Sequence, residues 1–450
     1  MAVSITAPTL AADETIGRSA MRKATLHLIP LIALGYGAAY IDRINISFAS
    51  LQMNRDLHFS ATVYGFGAGL FFVAYAAFDI PSNLLLCRFG ARRWLARIMV
   101  TWGLLAIGML FVRTPWQFYA VRLLLGTAEA GYFPGVLFYL MQWFPPDLRA
   151  RTVSRFYIAL PLSSAVMGLV AGTLLNLNGR LGLAGWQWLF LIEGIPPLLL
   201  GITFLFLLPD TPAHANWLTE AERNWITRRV SEGASNNTHH TGSIGRVLAD
   251  PRVWQIGIFE FFMVGTSYGY GFITPQVIQR ATHLSITNVG FITAGISLLG
   301  VPAMLFGAAR SDRAQRKSLT PHQQASSRYW SIIPFCILMA VSLTICGLSN
   351  SPFLVVAALA LTFVSFYAMQ GPFWSIPPTF FQGRSSAAAI AAVNTIGITG
   401  GFIFPYYMGL AKDLTGDYQR GLVTLALPML IAAGIMFYLS RNTRRRDAPE

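Results

Sequence analysis

Hydrophobic residues along this chain fall in long unbroken runs that are separated by short polar stretches. A helix needs about 20 apolar residues to cross about 30 Å of hydrocarbon, and the runs have this length. Runs such as 197–208 and 354–364 lack the alternating polarity of a barrel strand, so they favour helices. The pattern predicts twelve transmembrane helices, at residues 26–49, 62–86, 94–112, 116–140, 152–177, 186–208, 252–279, 287–309, 329–348, 352–380, 385–411 and 418–440.

The polar stretches divide the chain into two similar halves. Residues 209–251 form the longest polar interruption, and six predicted spans lie on either side of it. A basic, turn-prone segment follows the second span of each half, RFGARR at 88–93 and RSDRAQRK at 310–317, as expected of halves related by duplication. We expect an all-α membrane protein built of a cytoplasmic tail (1–25), an N-terminal bundle (26–208), a cytoplasmic linker (209–251), a C-terminal bundle (252–440) and a cytoplasmic tail (441–450).

Composition and charge agree with a membrane protein. The chain of 450 residues is 54% hydrophobic and only 12% charged, whereas about a quarter of the residues of soluble proteins are charged. The net charge of +14 would suit nucleic-acid binding, but most Lys and Arg residues lie on alternate loops, which face the cytoplasm if both termini do. This positive-inside pattern explains the charge by topology. It predicts a multi-pass protein of the inner (plasma) membrane with both termini cytoplasmic and no nucleic-acid partner.

Several other chemistries lack the residues that they need. The cysteines, Cys87, Cys336 and Cys346, lie at a predicted helix end or within spans, which indicates neither a disulfide framework nor a metal site. His239 and His240 stand together in the polar linker, where solvated side chains are a simpler interpretation than a metal site. The other histidines are scattered, which disfavours an integral-membrane enzyme. No lysine follows a glycine, so a Walker P-loop is excluded and we expect no cofactor, with a proton gradient as the energy source.

Four segments carry a resemblance to a known family: YIDRINISFA (40–49), IPSNLLLCRFGARRW (80–94), RLLLGTAEAGYFPGVLFYLMQWFP (122–145) and GWQWLFLIEGIP (185–196). They resemble the anion:cation symporter family of the major facilitator superfamily, and within it the bacterial permeases for carboxylates such as tartrate, phthalate and hydroxyphenylacetate. The resemblance implies the major facilitator fold, with twelve helices in two pseudo-symmetric six-helix bundles, and transport of a small organic anion.

The basic turns resemble the gate motif of that superfamily. The resemblance implies gating or structural roles for Arg88, Arg92, Asp312 and Arg313. The first turn has Cys87 where the superfamily motif usually has an aspartate, so the ordinary charge contact of one gate lacks its acid. Asp79 lies near the cytoplasmic end of the second span, and we expect it to hold the basic turn that follows.

Ionisable side chains within the spans are candidates for function, because each costs about 3 kcal/mol to insert. The first half holds Asp42, Arg43, Asp79, Arg122, Glu129 and Glu193, and the second half holds Glu260 well inside a span. Counting from the outer ends of the first and fourth spans places Asp42 and Arg122 at similar depth, so we expect them to pair. Glu129 lies seven residues after Arg122, nearly two helical turns, hence on the same face and nearer the membrane middle. The roles of Glu193 and Glu260 stay open.

These groups suit the symport of an anion with protons. An arginine stays charged and offers a planar fork of donors to a carboxylate, while a buried carboxylate beside an arginine can be tuned to exchange protons near neutral pH. Our hypothesis is that Asp42 and Glu129 bind protons and loosen their hold on Arg122, while Arg43 or Arg122 binds the substrate carboxylate. The resemblance implies the same four coupling residues. The alternative is an ion-pair network that only fixes helix packing.

The second half supplies mostly neutral polar and aromatic groups. Gln370, Trp374 and Ser375 lie in the tenth span and Asn394 lies in the eleventh. Because transporter sites form near the membrane midplane between the halves, we expect these side chains to contact the substrate. The resemblance implies the same role for Tyr75, and it supports the roles of Trp374 and Asn394. The alternative for each aromatic side chain is packing or anchoring at the membrane interface.

The sequence therefore predicts a proton-coupled symporter that takes up a small organic carboxylate by alternating access, as a monomer in the lipid bilayer. The main alternative is an exporter or multidrug-type facilitator, which would not need arginines facing the cavity. A second alternative is a non-transporting membrane sensor on the same scaffold. The substrate stays open between aromatic acids and compact hydroxy acids.

Overall fold

This computed structural model describes residues 7–145, 148, 157–235, 244–316, 321–377 and 384–445. Within those ranges every regular element is a helix, so the predicted all-α fold is confirmed. Parts of the predicted spans 152–177 and 352–380 lie outside the described residues, as do His239 and His240.

The helices are numbered in chain order. Those before the linker are α1 (Ala7–Asp56), α2 (Ala61–Phe89), α3 (Ala91–Gly108), α4 (Pro115–Glu129), α5 (Tyr132–Met141), α6 (Ala159–Leu175) and α7 (Gly185–Leu207). The linker contains α8 (Glu220–Ser235) and α9 (Ile244–Ala249). Those after the linker are α10 (Pro251–Gly271), α11 (Thr274–Thr282), α12 (Ile286–Leu298), α13 (Gly300–Arg316), α14 (Pro321–Leu348), α15 (Pro352–Trp374), α16 (Arg384–Ile398), α17 (Gly400–Thr415), α18 (Gln419–Thr424) and α19 (Ala426–Arg445).

The described helices match the predicted spans in position. Among the described residues, ten helical segments are long and apolar enough to cross a membrane. The pair α10 and α11 passes the same test as one span that is bent by 44°. The remaining apolar helix, α6, has 17 described residues and stands at the place of the fifth predicted span.

Buried apolar side chains form two separate clusters. The first runs from Ala20 to Ile226 with the addition of Phe272, and its largest members include Trp102 and Trp143. The second runs from Val247 to Leu439. Large side chains such as Phe206 point outward and are 77% exposed, as expected where the surrounding solvent is lipid rather than water. Each half therefore packs around its own core.

The two halves meet closely at one end of the bundle, which is the outer end in the predicted topology. There α2 crosses α17 at glycines: a Cβ on Gly409 would lie 2.1 Å from the Ala61 carbonyl oxygen. The Asp413 carboxylate accepts hydrogen bonds from the backbone N–H groups of Ala61 (3.1 Å) and Thr62 (2.8 Å), which are among the unsatisfied donors at the start of α2. The Tyr64 hydroxyl donates across the halves to the Phe272 carbonyl at 2.9 Å. The outer end of the bundle is thus closed.

At the opposite end, α1 extends beyond the predicted start of its span at residue 26 and carries the linker helix α8. Glu222 of α8 accepts hydrogen bonds from the Ser19 hydroxyl (2.6 Å) and the Lys23 ammonium (2.8 Å). The Trp225 ring lies directly over Gly17, where a Cβ would approach the ring to 2.4 Å. These contacts fasten the linker to the N-terminal helix.

We expect the substitution Glu222→Gln to loosen α8 from α1 at neutral pH. Burial alone raises the pKa of Glu222, but hydrogen bonds from Lys23 and Ser19 outweigh it and lower that pKa to about 2, against an ordinary value of 4.5. Between those values the folded protein binds fewer protons than the unfolded chain, so this stabilisation, on the order of 1–3 kcal/mol, is complete above pH 4.5 and is lost as pH falls through about 2.

Hydrogen exchange of the amides of residues 220–235 measures this effect. Their protection at pH 7 should fall in E222Q and should stay unchanged in the control E220Q, which alters an exposed residue of the same helix. The gap between the wild-type protein and E222Q should close as the pH approaches 2. Equal protection of the two proteins at pH 7 would show that the Glu222 contacts do not hold the linker.

Candidate functional site

A polar cavity of about 770 Å³, part of it open to solvent, lies between the two halves. From the first half it is lined by Tyr36, Tyr40, Arg43 and Tyr157. From the second half it is lined by Glu260, Tyr268, Tyr367, Gln370, Trp374 and Asn394. The phenol oxygens of Tyr40 and Tyr367 lie 3.3 Å apart, so a hydrogen bond joins the two walls. Small-molecule sites have this character, a largely aromatic wall with a few placed polar groups.

The charged centre of the site is an ion pair between Arg43 and Glu129. The Arg43 Nε donates to Glu129 Oε1 at 2.7 Å, and Nη2 of the same guanidinium contacts the same oxygen. Arg43 is 8% exposed and Glu129 is fully buried, and the second carboxylate oxygen, Oε2, has no hydrogen-bond partner among the described residues. Arg43 lines the cavity, so an anion that enters it meets a guanidinium already bound to a carboxylate.

A break in the fourth span places Glu129. α4 ends at this residue, Ala130 leaves helical geometry with ψ 137°, and α5 begins after Gly131. Gly131 has φ +82°, and a Cβ there would lie 2.3 Å from the Ser82 hydroxyl, so both the backbone conformation and the space require glycine. The Gly131 N–H donates to Asp79 Oδ1 at 3.0 Å. Asp79 therefore supports the start of α5, rather than the basic turn that we expected it to hold.

Asp42 and Arg122 do not form the predicted ion pair. The Arg122 Nη2 donates to the Ala68 carbonyl at 3.0 Å, while Asp42 accepts a long hydrogen bond of 3.4 Å from Asn45. Asp42 Oδ2 and Arg122 Nε lack hydrogen-bond partners among the described residues. The two groups interact electrostatically without direct contact. The ion pair in this region forms instead between Arg43 and Glu129. Glu129 contacts the first span on the helix face that carries Arg43, and not on the face that carries Asp42.

Both arginines pack against aromatic rings and share Phe71. The Arg43 Cζ lies 4.9 Å from the centre of the Tyr75 ring and 5.6 Å from that of Phe71. The Arg122 Cζ lies 5.0 Å from the Phe71 ring on which it also packs. Such cation–π contacts partly compensate a desolvated guanidinium. Tyr75, predicted to bind substrate, is thus placed against Arg43 and outside the described cavity lining.

The second half places most of its predicted residues in the cavity. The Trp374 indole N–H donates to Gln370 Oε1 at 3.2 Å, which orients both side chains, and Asn394 lies nearby in the lining. Ser375 is an exception. Its hydroxyl donates to the Pro372 carbonyl at 2.6 Å, and its own carbonyl accepts from Arg328, so it shapes the end of α15 outside the lining.

Four tyrosines of the lining, Tyr36, Tyr40, Tyr157 and Tyr367, were missing from the predicted site. Tyr36, Tyr40 and Arg43 follow each other at helical spacings of four and three residues on α1. Side chains at such spacings share one face of a helix. Their spacing from Arg43 was the sequence feature from which Tyr36 and Tyr40 could have been predicted to line the site.

The predicted gate residues lie at the surface of the bundle. Arg88, Asp312 and Arg313 are exposed, and no ion pair within 4.0 Å involves Asp312 or Arg313 in the part of the chain that the structure describes. The backbone N–H of Arg92 donates to Asp210 Oδ1 at 2.9 Å. Asp210, which follows α7, therefore supplies a carboxylate to the turn in which Cys87 replaces the usual acid. Sequence reasoning had assigned no role to Asp210.

No cluster of three or more His, Cys, Asp and Glu side chains that could hold a metal ion occurs among the described residues. The side chains of the site include an arginine that can bind an anion, carboxyl groups that can bind protons, and amides and phenols that can donate and accept hydrogen bonds.

A polar cavity between two helical halves, closed at one end, is the architecture of a membrane transporter. The chain belongs to the major facilitator superfamily, because the family model described as "Major Facilitator Superfamily" matches residues 32–405. The recognition of this superfamily from sequence is confirmed, and the relatives are transporters, not enzymes.

Relatives of similar length support the same assignment. Two Agrobacterium vitis proteins named as tartrate transporters are 41% and 42% identical, over 94% of this chain and 92% and 95% of theirs. A quinolone resistance transporter of Acinetobacter baumannii is 34% identical over 95% of this chain and 96% of its own.

Solved structures share the fold at low sequence identity. A bacterial homologue of the human lysosomal transporter Spinster, in an inward-facing and unoccupied conformation, superposes with a TM-score of 0.75 at 15% identity, over 94% of this chain and 98% of its own. The xylose transporter XylE of E. coli, in a partially occluded inward-open conformation, gives a TM-score of 0.71 at 14% identity, over 92% of this chain and 98% of its own. The predicted major facilitator fold is confirmed.

Proposed function

We propose that this transporter takes up a small organic carboxylate together with protons by alternating access. The observation that carries the proposal is the Arg43–Glu129 pair, an arginine in the cavity lining whose charge is held by a fully buried carboxylate. An arginine needs its planar fork free to bind a substrate carboxylate through two hydrogen bonds. Neutralising Glu129 with a proton frees that fork.

The coupling follows from the cost of burying unpaired charge. While Glu129 is ionised it occupies the Arg43 guanidinium, and an anionic substrate must compete with it. When Glu129 binds a proton, a substrate carboxylate can restore the neutrality of the pair. Substrate and proton therefore bind together. This mechanism assigns to Arg43 the anion contact that our hypothesis had left open between Arg43 and Arg122.

Asp42 and Arg122 form a second proton-binding unit in this proposal. Arg122 is 1% exposed and Asp42 is 2% exposed, and both keep a polar atom without a partner among the described residues. A proton on Asp42 changes the charge that Arg122 meets through their electrostatic interaction. Phe71 packs on both arginines, so it physically connects this unit with the Arg43 site.

The names of two relatives support a carboxylate substrate, since both are named as tartrate transporters and cover almost the whole chain. The two separate hydrophobic clusters suit bundles at 26–208 and 252–440 that rock about the central cavity. The proposal includes the predicted placement in the inner membrane as a monomer, with both termini and the 209–251 linker in the cytoplasm.

Uptake into reconstituted vesicles under an imposed pH gradient tests the proposal. The substrates to screen are tartrate, phthalate, hydroxyphenylacetate and sugar acids. Uptake of at least one acid that rises with the inward proton gradient is expected. Failure of every acid, together with movement of cationic drugs, would reject a carboxylate symporter.

We expect the substitution Glu129→Gln to abolish proton-driven uptake, lowering it by about 100-fold, while substrate counterflow survives. The amide keeps the shape of the side chain and permanently mimics the neutral form, so Arg43 stays free to bind but no proton can be exchanged. Both activities are measured in the same vesicles, with Glu220→Gln on the linker as the matched control. If both activities survive unchanged, Glu129 has no coupling role.

An exporter is the second candidate, and the 34% identity to a quinolone resistance transporter favours it. Vesicles loaded with a quinolone and given an inward proton gradient distinguish the two, because antiport drives the drug out as protons enter, whereas symport carries an acid in with the protons. The buried Arg43–Glu129 pair favours symport of an acid, since a drug exporter does not require a guanidinium in the cavity.

A further inference from the structure

Glu260 is a buried carboxyl group in the lining of the cavity, and the proposed proton and anion chemistry does not use it. It lies on α10, is 3% exposed, and lines the same cavity as Arg43 but from the other half. Its Oε2 has no hydrogen-bond partner among the described residues, and no described cation pairs with it within 4.0 Å. A buried acceptor without a donor is costly, so its presence in a binding cavity calls for a donor from elsewhere.

The neighbouring helix makes room for this side chain. A Cβ on Gly397 of α16 would lie 2.1 Å from Glu260 Cγ, so only glycine lets α16 pack beside the carboxyl group. An apolar side chain at 260 would pack in the same place without an unsatisfied oxygen. The close fit of Glu260 against Gly397 thus holds its carboxyl group in the cavity wall.

The surroundings of Glu260 point to hydrogen bonding with a ligand. Gln370 and Asn394, from the same half, line the cavity together with it, and the indole N–H of Trp374 is already donated to Gln370. This wall therefore offers amide groups and a carboxyl oxygen, whereas the opposite wall offers the Arg43 guanidinium. The two walls differ in chemistry: one suits a carboxylate, and the other suits groups that donate hydrogen bonds.

We propose that Glu260 is a specificity-determining residue that accepts hydrogen bonds from the hydroxyl groups of a hydroxy acid whose carboxylate lies at Arg43. This inference rests on the proposed function and narrows it, because it selects hydroxylated aliphatic acids over phthalate-like acids that carry no hydroxyl group. A site built to hydrogen-bond a hydroxyl group rejects the analogue that lacks it, since the buried acceptor is then left unpaired.

Four dicarboxylic acids of equal chain length test the assignment: L-tartrate with two hydroxyl groups, L-malate with one, succinate with none, and L-aspartate with an ammonium group instead. The ratio of kcat/KM between each acid and succinate is measured for uptake into vesicles. The wild-type protein should prefer L-tartrate and L-malate over succinate by about tenfold or more. Glu260→Leu should lose this preference, and Glu260→Gln, whose amide oxygen still accepts, should keep part of it.

A matched control on the same helix is Thr266→Val, since Thr266 is fully buried and lies outside the described lining. It should retain the wild-type preference.

If E260Q and E260L lower the uptake of succinate and of the hydroxy acids by the same factor, Glu260 acts in coupling or packing and the inference is overturned. Preference of the wild-type protein for succinate or L-aspartate overturns it as well, although the carboxylate proposal then stands. A wild-type protein that moves none of these acids, nor the wider set screened above, rejects the proposed function itself.

Discussion

Replacing Arg43 with Lys is expected to lower the uptake of the carboxylate substrate by about 100-fold or more, and to abolish counterflow as well. Arg43 holds Glu129 with two N–H groups of one planar fork. A lysine ammonium is a point charge on a flexible stem and cannot present such a fork. Loss of a hydrogen bond to a charged group costs about 1.5–3 kcal/mol, and about 1.4 kcal/mol corresponds to a tenfold change.

A counterflow assay distinguishes the role of Arg43 from that of Glu129. Loss of the anion contact should abolish every mode of transport, whereas Glu129→Gln should remove only the proton-driven mode. Arg113→Lys is the matched control, because Arg113 is exposed and its guanidinium donates, among the described residues, to the backbone carbonyls of Leu110 and Val112. Wild-type rates in R43K would show that the cavity binds its anion elsewhere, with Arg122 as the next candidate.

The position of each residue along its helix was predictable from sequence, whereas the direction of each side chain around that helix was not. Apolar runs located the spans, and counting residues along them brought Asp42, Arg122 and Glu129 into one region of the first half. Neighbouring residues on a helix point about 100° apart, so Asp42 and Arg43 face different partners. Which of the two meets Glu129 depends on the rotation of α1 against α4, which the packing of the whole bundle determines.

Local breaks in helices account for the other differences. The span that contains Glu129 is one apolar run in the sequence, but in the structure α4 ends at Glu129 and α5 begins after Gly131. Asp79 of α2 stabilises the start of α5 by accepting a hydrogen bond from the Gly131 N–H. The acid beside the first basic turn is Asp210, more than one hundred residues away in sequence from the turn. Contacts between residues so far apart cannot be inferred from a single sequence without an alignment or a structure. The aromatic lining beside Arg43 could in principle have been predicted from sequence, because Tyr36 and Tyr40 share the helical face of Arg43.

The substitution Gly409→Val is expected to arrest the transport cycle by preventing closure of the outer end. α2 and α17 cross there with a Cβ on Gly409 only 2.1 Å from the Ala61 carbonyl, so any side chain must separate the two helices. Separation also removes the two hydrogen bonds that Asp413 accepts from the first amides of α2. Overpacking costs about 1–3 kcal/mol, so the closed state should lose roughly 10- to 100-fold in population relative to the open one.

Accessibility of a buried outer residue reports this shift directly. Ser50 is 4% exposed and accepts a hydrogen bond from Gln276 of the other half, so it lies beneath the closed contact. In protein with Cys87 replaced by Ser, a cysteine introduced by Ser50→Cys should react with an impermeant maleimide from outside much faster when Gly409→Val is present. Gly434→Val is the control, because a Cβ at that position meets nothing within 4 Å. Slow labelling together with normal uptake in the Gly409 variant would mean that the α2–α17 crossing does not limit the cycle, and that the outer end closes through other contacts such as the hydrogen bond between Tyr64 and Phe272.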